Sequence, residues 1–168
     1  QLAQAMDIGK YFSAKITFNE IQNIVVAGMG GSAIGGDVCR ALLATELNVP
    51  FLVSRNYNLP NWVNENTLVI CSSYSGNTEE TLYALEACQK RRAQIACVTS
   101  GGALEKLAKE KGFNCITIPG GQPPRAMFGY SFTQLFFLLN HYGLIDNSFM
   151  SEFEKGIALL DSQEEAIK

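Results

Sequence analysis

The sequence predicts an α/β fold, a three-layer αβα sandwich built on a five-stranded parallel sheet. Three observations carry this. Short apolar runs rich in β-branched residues alternate with longer segments of helical periodicity. The runs are apolar on both faces, as in strands covered by helices on either side, and lack the in/out alternation of a hairpin protein. Two turns rich in glycine and hydroxyl residues follow the first and third runs, where an open parallel sheet places its ligand crevice.

In chain order, a helix is expected over 3–13, then a strand over 24–27 (IVVA), a glycine-rich turn and a helix over 32–45. Strands at 51–54 (FLVS) and 67–71 (TLVIC) lead to a helix over 78–91. On that helix Leu82, Leu85 and Cys88 share one face, and Glu79 and Glu80 at its start with Lys90 and Arg91 at its end match the macrodipole. A strand at 94–99 (QIACVT), a helix over 103–111 and a strand at 115–118 (CITI) follow. PGGQPPR, residues 119–125, is a rigid loop by composition. It precedes an apolar helix over 128–144 that Gly143 can end, and an amphipathic helix over 148–168 with Phe149, Phe153, Ile157 and Leu160 on one stripe.

Composition narrows the function classes. At 168 residues the chain suits one compact domain. With 47% apolar and 17% charged residues it reads as soluble and globular, and no apolar stretch approaches the roughly 20 residues that cross a bilayer. A net charge of −3 provides no general attraction to nucleic acid or to an anionic membrane, so any bound anion must be held by local geometry. The five cysteines, Cys39, Cys71, Cys88, Cys97 and Cys115, show no C-x-x-C spacing. They are expected to be reduced, buried thiols of a cytoplasmic protein, with no metal role.

The first turn reads GMGGSAIGGD, Gly28 to Asp37. Glycines there let backbone N–H groups face an anion, and the following helix points its positive end at the same spot. Two ligands fit. One is a phosphate. The other is a dinucleotide, because residues 28–33 also satisfy G-x-G-x-x-A. The acidic residue that would hold a ribose is missing at the end of the second strand, where Arg55 is suited to a 2′-phosphate instead. The second turn, SSYSGNT, favours the phosphate: the hydroxyls of Ser73, Ser75 and Thr78 can each donate to a phosphate oxygen. Capping of the next helix by Asn77 or Thr78 accounts for one hydroxyl, not three. With strand order 2-1-3-4-5, both turns face one crevice.

GMGGSAIGGD, SYSGNTEET, TSGG (99–102) and PPRAMFGY (123–130), in this order, resemble the sugar isomerase (SIS) domain. More closely, they resemble the amino-terminal half of the bifunctional phosphoglucose/phosphomannose isomerases over about 23–146. The resemblance implies that Gly30, Gly31, Ser32, Ser73, Ser75 and Thr78 bind the phosphate of a hexose 6-phosphate and that Arg125 is catalytic, facing the reacting end of the sugar. It further implies interconversion of glucose 6-phosphate or mannose 6-phosphate with fructose 6-phosphate through a cis-enediolate, without metal or other cofactor, by a homodimer. The family's base, ring-opening histidine and lysine lie in a second SIS half. Residues 1–147 are accordingly expected to form one SIS domain with an N-terminal helix, and 148–168 a helix connecting to that second half, the chain opening on Gln1 as a piece of a longer protein would. His141 is expected to be a packing residue, and Glu79 and Glu80 to serve the helix dipole. Two rival readings are a non-catalytic phosphosugar sensor and an NADP-dependent enzyme using the first turn.

Overall fold

The computed structural model describes residues 1–15 and 20–163. Five parallel strands, β1 (Asn23–Gly28), β2 (Phe51–Ser54), β3 (Thr67–Ser73), β4 (Gln94–Thr99) and β5 (Asn114–Thr117), form one sheet in the order β2-β1-β3-β4-β5. This is the expected order, with its reversal between β1 and β3.

Alternate strand residues build two cores. Ile24, Val26, Leu68, Ile70, Val98 and Ile116 face α1 (Leu2–Tyr11), α2 (Gly30–Leu42), α5 (Phe128–His141) and α6 (Ser148–Ser162). Val25, Val69, Ile95 and Cys97 face α3 (Glu79–Lys90) and α4 (Gly102–Lys111). Both faces are covered, which is why the strand sequences are apolar throughout.

Several boundaries differ from the sequence reading, and three of them bear on the site. Strand β3 runs two residues past Cys71, because Ser72 pairs in register with Gly28 and Val98, and Ser73 with Thr99. Ladder hydrogen bonds there override the polar composition. Helix α2 begins at Gly30, before Ser32, so the glycine turn is itself the first turn of the helix. Part of the 119–125 loop winds into a 3-10 turn, Pro124–Met127, that leads directly into α5.

Close approach fixes the helices. A Cβ on Gly9 would lie 2.0 Å from the Phe137 ring, so α1 sits against α5 at a distance only glycine permits. A Cβ on Gly36 would meet Val26 and Val53 at 3.1 Å, which brings α2 low over β1 and β2. Helix α6 is held through an aromatic cluster: Phe149 stacks on Phe136 and meets Phe137 edge-on, while Phe153 meets Phe136 edge-on. Burial of Phe149 contributes about 1.5–3 kcal/mol toward seating this helix. Of the expected stripe, Phe149 and Phe153 pack as foreseen, Ile157 is half-buried and Leu160 is exposed. Residues 164–168 of the expected helix lie outside the described residues.

Candidate functional site

The cleft opens where β1 and β3 end. It has a volume of about 220 Å³ and is lined by Met29, Gly30, Gly31 and Ser32 from the first turn, Tyr74, Ser75 and Thr78 from the second, and Pro124, Met127 and Ser131 from the start of α5. The two turns converge, as the strand order requires. Among the described residues no charged side chain lines this cleft. An anion there is met by hydroxyls and by the positive ends of two helices.

Neither helix start is consumed by its own side chains. Met29 occupies the N-cap of α2 and Thr78 that of α3, both without a side-chain capping bond. The two residues expected to cap α3 are turned to other partners. Asn77 Oδ1 accepts the Ala103 N–H (3.0 Å), and Thr78 Oγ1 lies 2.8 Å from Ser73 Oγ. The first N–H groups of both helices therefore remain to bind a ligand.

The expected hydroxyl donors divide into two kinds. Ser73 is buried, and its Oγ accepts the Gly76 N–H (3.1 Å) while meeting Thr78. When Ser73 donates to Thr78, the Thr78 hydroxyl hydrogen is left for the cleft. Ser75 Oγ accepts the Asn77 N–H (3.2 Å), so its own hydrogen is likewise unspent. Ser75 and Thr78 face the cleft, and Ser73 organises them from beneath.

The loop that bears them is locked to the next crossover. Leu104 N–H donates to Gly76 O (2.9 Å), and Ser100 donates to Tyr74 O through both its N–H (3.0 Å) and its Oγ (2.6 Å). Gly76 has φ +68°, and a Cβ there would lie 1.8 Å from Gly101 O. Reciprocally, a Cβ on Gly102 would lie 2.4 Å from Ser75 O. The TSGG segment thus buttresses the hydroxyl loop, a role that its sequence did not reveal.

Arg125 sits on the 3-10 turn between two residues that line the cleft, yet it is exposed and does not line the cleft itself. Among the described residues it has no ion-pair partner. Arg55 does: it pairs with Asp37 of α2, which also approaches Arg40 at 3.7 Å. That pairing removes the support Arg55 gave to a nucleotide 2′-phosphate. Tyr74, Met127 and Ser131 were missed as lining residues. A serine near the start of the otherwise apolar α5 was the available signal for one of them.

The four thiols on the α3/α4 side are gathered, not scattered. Cys71, Cys97 and Cys115 stand in register across β3, β4 and β5, beneath Cys88 of α3. Burial raises the pKa of Cys97, a Cys88 contact and burial raise that of Cys71, and burial pushes Cys115 up to about 11. These are neutral core groups.

His141 lies at the far end of α5, about 15 Å along the axis from Ser131 at 1.5 Å per residue. Its ring meets Phe12 edge-on, and its Nε2 is buried without a hydrogen-bond partner among the described residues. Burial lowers its pKa, opposed by a backbone hydrogen bond to Gly9. The unfolded chain therefore binds this proton more readily, so the stabilisation is complete above the ordinary histidine pKa of 6.5 and is lost as pH falls below it. Melting temperature is expected to drop between pH 7.5 and 5.5, less steeply in His141→Asn; equal slopes in the two proteins would contradict this.

Fold and cleft define a class: an open parallel α/β domain with a hydroxyl-lined cleft at the reversal of strand order. The chain belongs to the SIS domain family, whose model matches residues 17–142. It is 45% identical over 146 residues, 87% of this chain and 43% of the relative, to the bifunctional phosphoglucose/phosphomannose isomerase of Caldicellulosiruptor bescii. It is 38% identical over 120 residues, 71% of this chain and 38% of the relative, to the D-glucosamine-6-phosphate 4-epimerase of Sulfolobus acidocaldarius. The chain thus spans less than half the length of these relatives. A crystal structure described as a putative phosphosugar isomerase from Clostridium difficile shares the fold at a TM-score of 0.76 and 18% identity, over 99% of this chain and 50% of that one. No helix among the described residues is long and apolar enough to cross a membrane.

Proposed function

We propose that this chain is the phosphate-gripping half of an aldose–ketose isomerase that interconverts glucose 6-phosphate or mannose 6-phosphate with fructose 6-phosphate. The convergence of the uncapped α2 turn and the Ser75/Thr78 loop on one cleft is the observation that carries it. The phosphate sits between the two helix starts, accepting from the Gly30 and Gly31 N–H groups, Ser32, Ser75 and Thr78. Charge-assisted hydrogen bonds of roughly 1.5–3 kcal/mol each make this a grip of moderate strength once the cost of association is deducted.

Proton transfer between C1 and C2 passes through a cis-enediolate whose oxygens gain negative charge. A planar guanidinium that is always charged suits that intermediate, and Arg125 is the candidate beside the cleft. Glucose and mannose differ at C2, the carbon that loses its configuration in the enediolate, so one site can serve both. The base belongs to the part of the enzyme beyond these residues, reached through α6, and the working protein is a cytoplasmic homodimer.

Fructose 6-phosphate at a hundred times its dissociation constant is expected to raise the melting temperature by about 5–10 °C, since such a ligand adds about 2.7 kcal/mol. Ser75→Ala and Thr78→Ala should fold normally and lose most of that shift. Stabilisation by NADPH alone would overturn the reading. The 38% identity to a 4-epimerase supports a second reading, in which the same grip serves chemistry at C4. Incubating the full-length protein with fructose 6-phosphate and identifying the product by NMR separates the two.

A further inference from the structure

We propose that Tyr74 is a positioning residue, whose hydroxyl sets the offset between the phosphate loop and the turn that carries Arg125. This rests on the role given to Arg125 above. Tyr74 Oη accepts the Gln122 N–H at 3.2 Å. Among the described residues, this is the one hydrogen bond that ties 119–122 to the rest of the chain.

Few other bonds reach this stretch: on its far side the Gln1 side-chain amide donates to Ala126 O, while residues 119–122 depend on Tyr74. Pro123 and Pro124 carry no N–H, so Gln122 offers the last backbone donor before Arg125. Beyond it, the Ala126 N–H donates to Pro123 O (2.9 Å), which closes the turn on itself without anchoring it to the sheet. The anchor end, by contrast, is fixed. Tyr74 lies between Ser73 and Ser75 in the hydroxyl loop, and its carbonyl oxygen accepts both the N–H and the Oγ–H of Ser100. Its half-buried side chain lines the cleft together with Pro124 and Met127, so the strut borders the site.

The consequence is geometric. A hexose 6-phosphate is held at one end by its phosphate and reacts at the other, so the group serving C1 and C2 must stand at a set distance from the phosphate cup. The Tyr74 hydroxyl connects the two walls that define this distance. Loss of the hydroxyl leaves the cup intact and frees the 119–122 side of the turn, whose other side stays held by Gln1 and by buried Met127.

The test is Tyr74→Phe in the full-length protein, with three readouts. The dissociation constant for inorganic phosphate is expected to stay within twofold, while kcat for fructose 6-phosphate falls about 3- to 10-fold with KM within twofold. Hydrogen exchange of the Gln122 amide is expected to accelerate about tenfold. Added to Arg125→Ala, the same substitution should cost nothing further. Unchanged Gln122 exchange overturns the strut itself, and an equal kcat loss with and without Arg125 overturns its action through that residue. If the wild-type protein turns over no hexose 6-phosphate, the isomerase reading fails and the catalytic part of this inference fails with it. The exchange readout then still reports independently whether the strut exists.

Discussion

Arg125→Ala is expected to lower kcat of the full-length protein in the proposed isomerisation about 10²- to 10³-fold, or about 2.7–4 kcal/mol of transition-state stabilisation, and to change KM for fructose 6-phosphate little. Arg125 stands on the short turn between Pro124 and Met127, both of which line the cleft, and its exposed guanidinium has no ion-pair partner among the described residues. Pairing with a structural carboxylate, the ordinary fate of a loop arginine, is not what this side chain does. In the proposed reaction its charge matters most when the enediolate oxygens form, which predicts a loss in kcat and not in binding. Arg125→Lys should recover part of the rate, because it restores the charge without the planar fork. Steady-state kinetics of the three proteins decide the matter, and an unchanged kcat in Arg125→Ala would remove Arg125 from the chemistry.

Gly76→Ala should be the most damaging single-methyl change near the site. Residue 76 has φ +68°, where an L side chain costs about 1–2 kcal/mol, and the added Cβ would lie 1.8 Å from Gly101 O. Backbone cannot swing aside as a side chain can. Either the hydroxyl loop or the 99–102 segment must shift, breaking contacts such as the Leu104 N–H to Gly76 O bond. A total cost of about 3–5 kcal/mol is expected, a fall of roughly 6–20 °C in melting temperature, together with loss of fructose 6-phosphate binding. Thermal melts with and without the ligand test both parts. A variant that melts and binds like the wild type would show that the two loops do not interlock.

Much of this architecture was legible because its causes are local. Runs such as IVVA and TLVIC are apolar at every position, and only a strand covered on both faces needs that pattern. The glycine and hydroxyl turns were legible too, since few other structures require GMGGSA and SYSGNT at strand ends. The reach of β3 to Ser73 was not, because polar residues there are paid for by ladder partners on β1 and β4. Arg55 was equally opaque, its partner Asp37 lying on a helix that precedes it by a crossover.

The sequence by itself determined the class of fold, the strand count and order, and the two glycine- and hydroxyl-rich turns, because periodicity and turn chemistry are properties of neighbouring residues. Tertiary structure alone decided that Ser73 bonds to Thr78 beneath the cleft, that Gly76 and Gly102 lock two loops together, and that Tyr74 reaches Gln122. It also gathered Cys71, Cys97 and Cys115 into one row. Each of these joins groups that are distant in the chain or separates groups that are adjacent, and such relations are set by how strands align and helices pack, which no local pattern encodes.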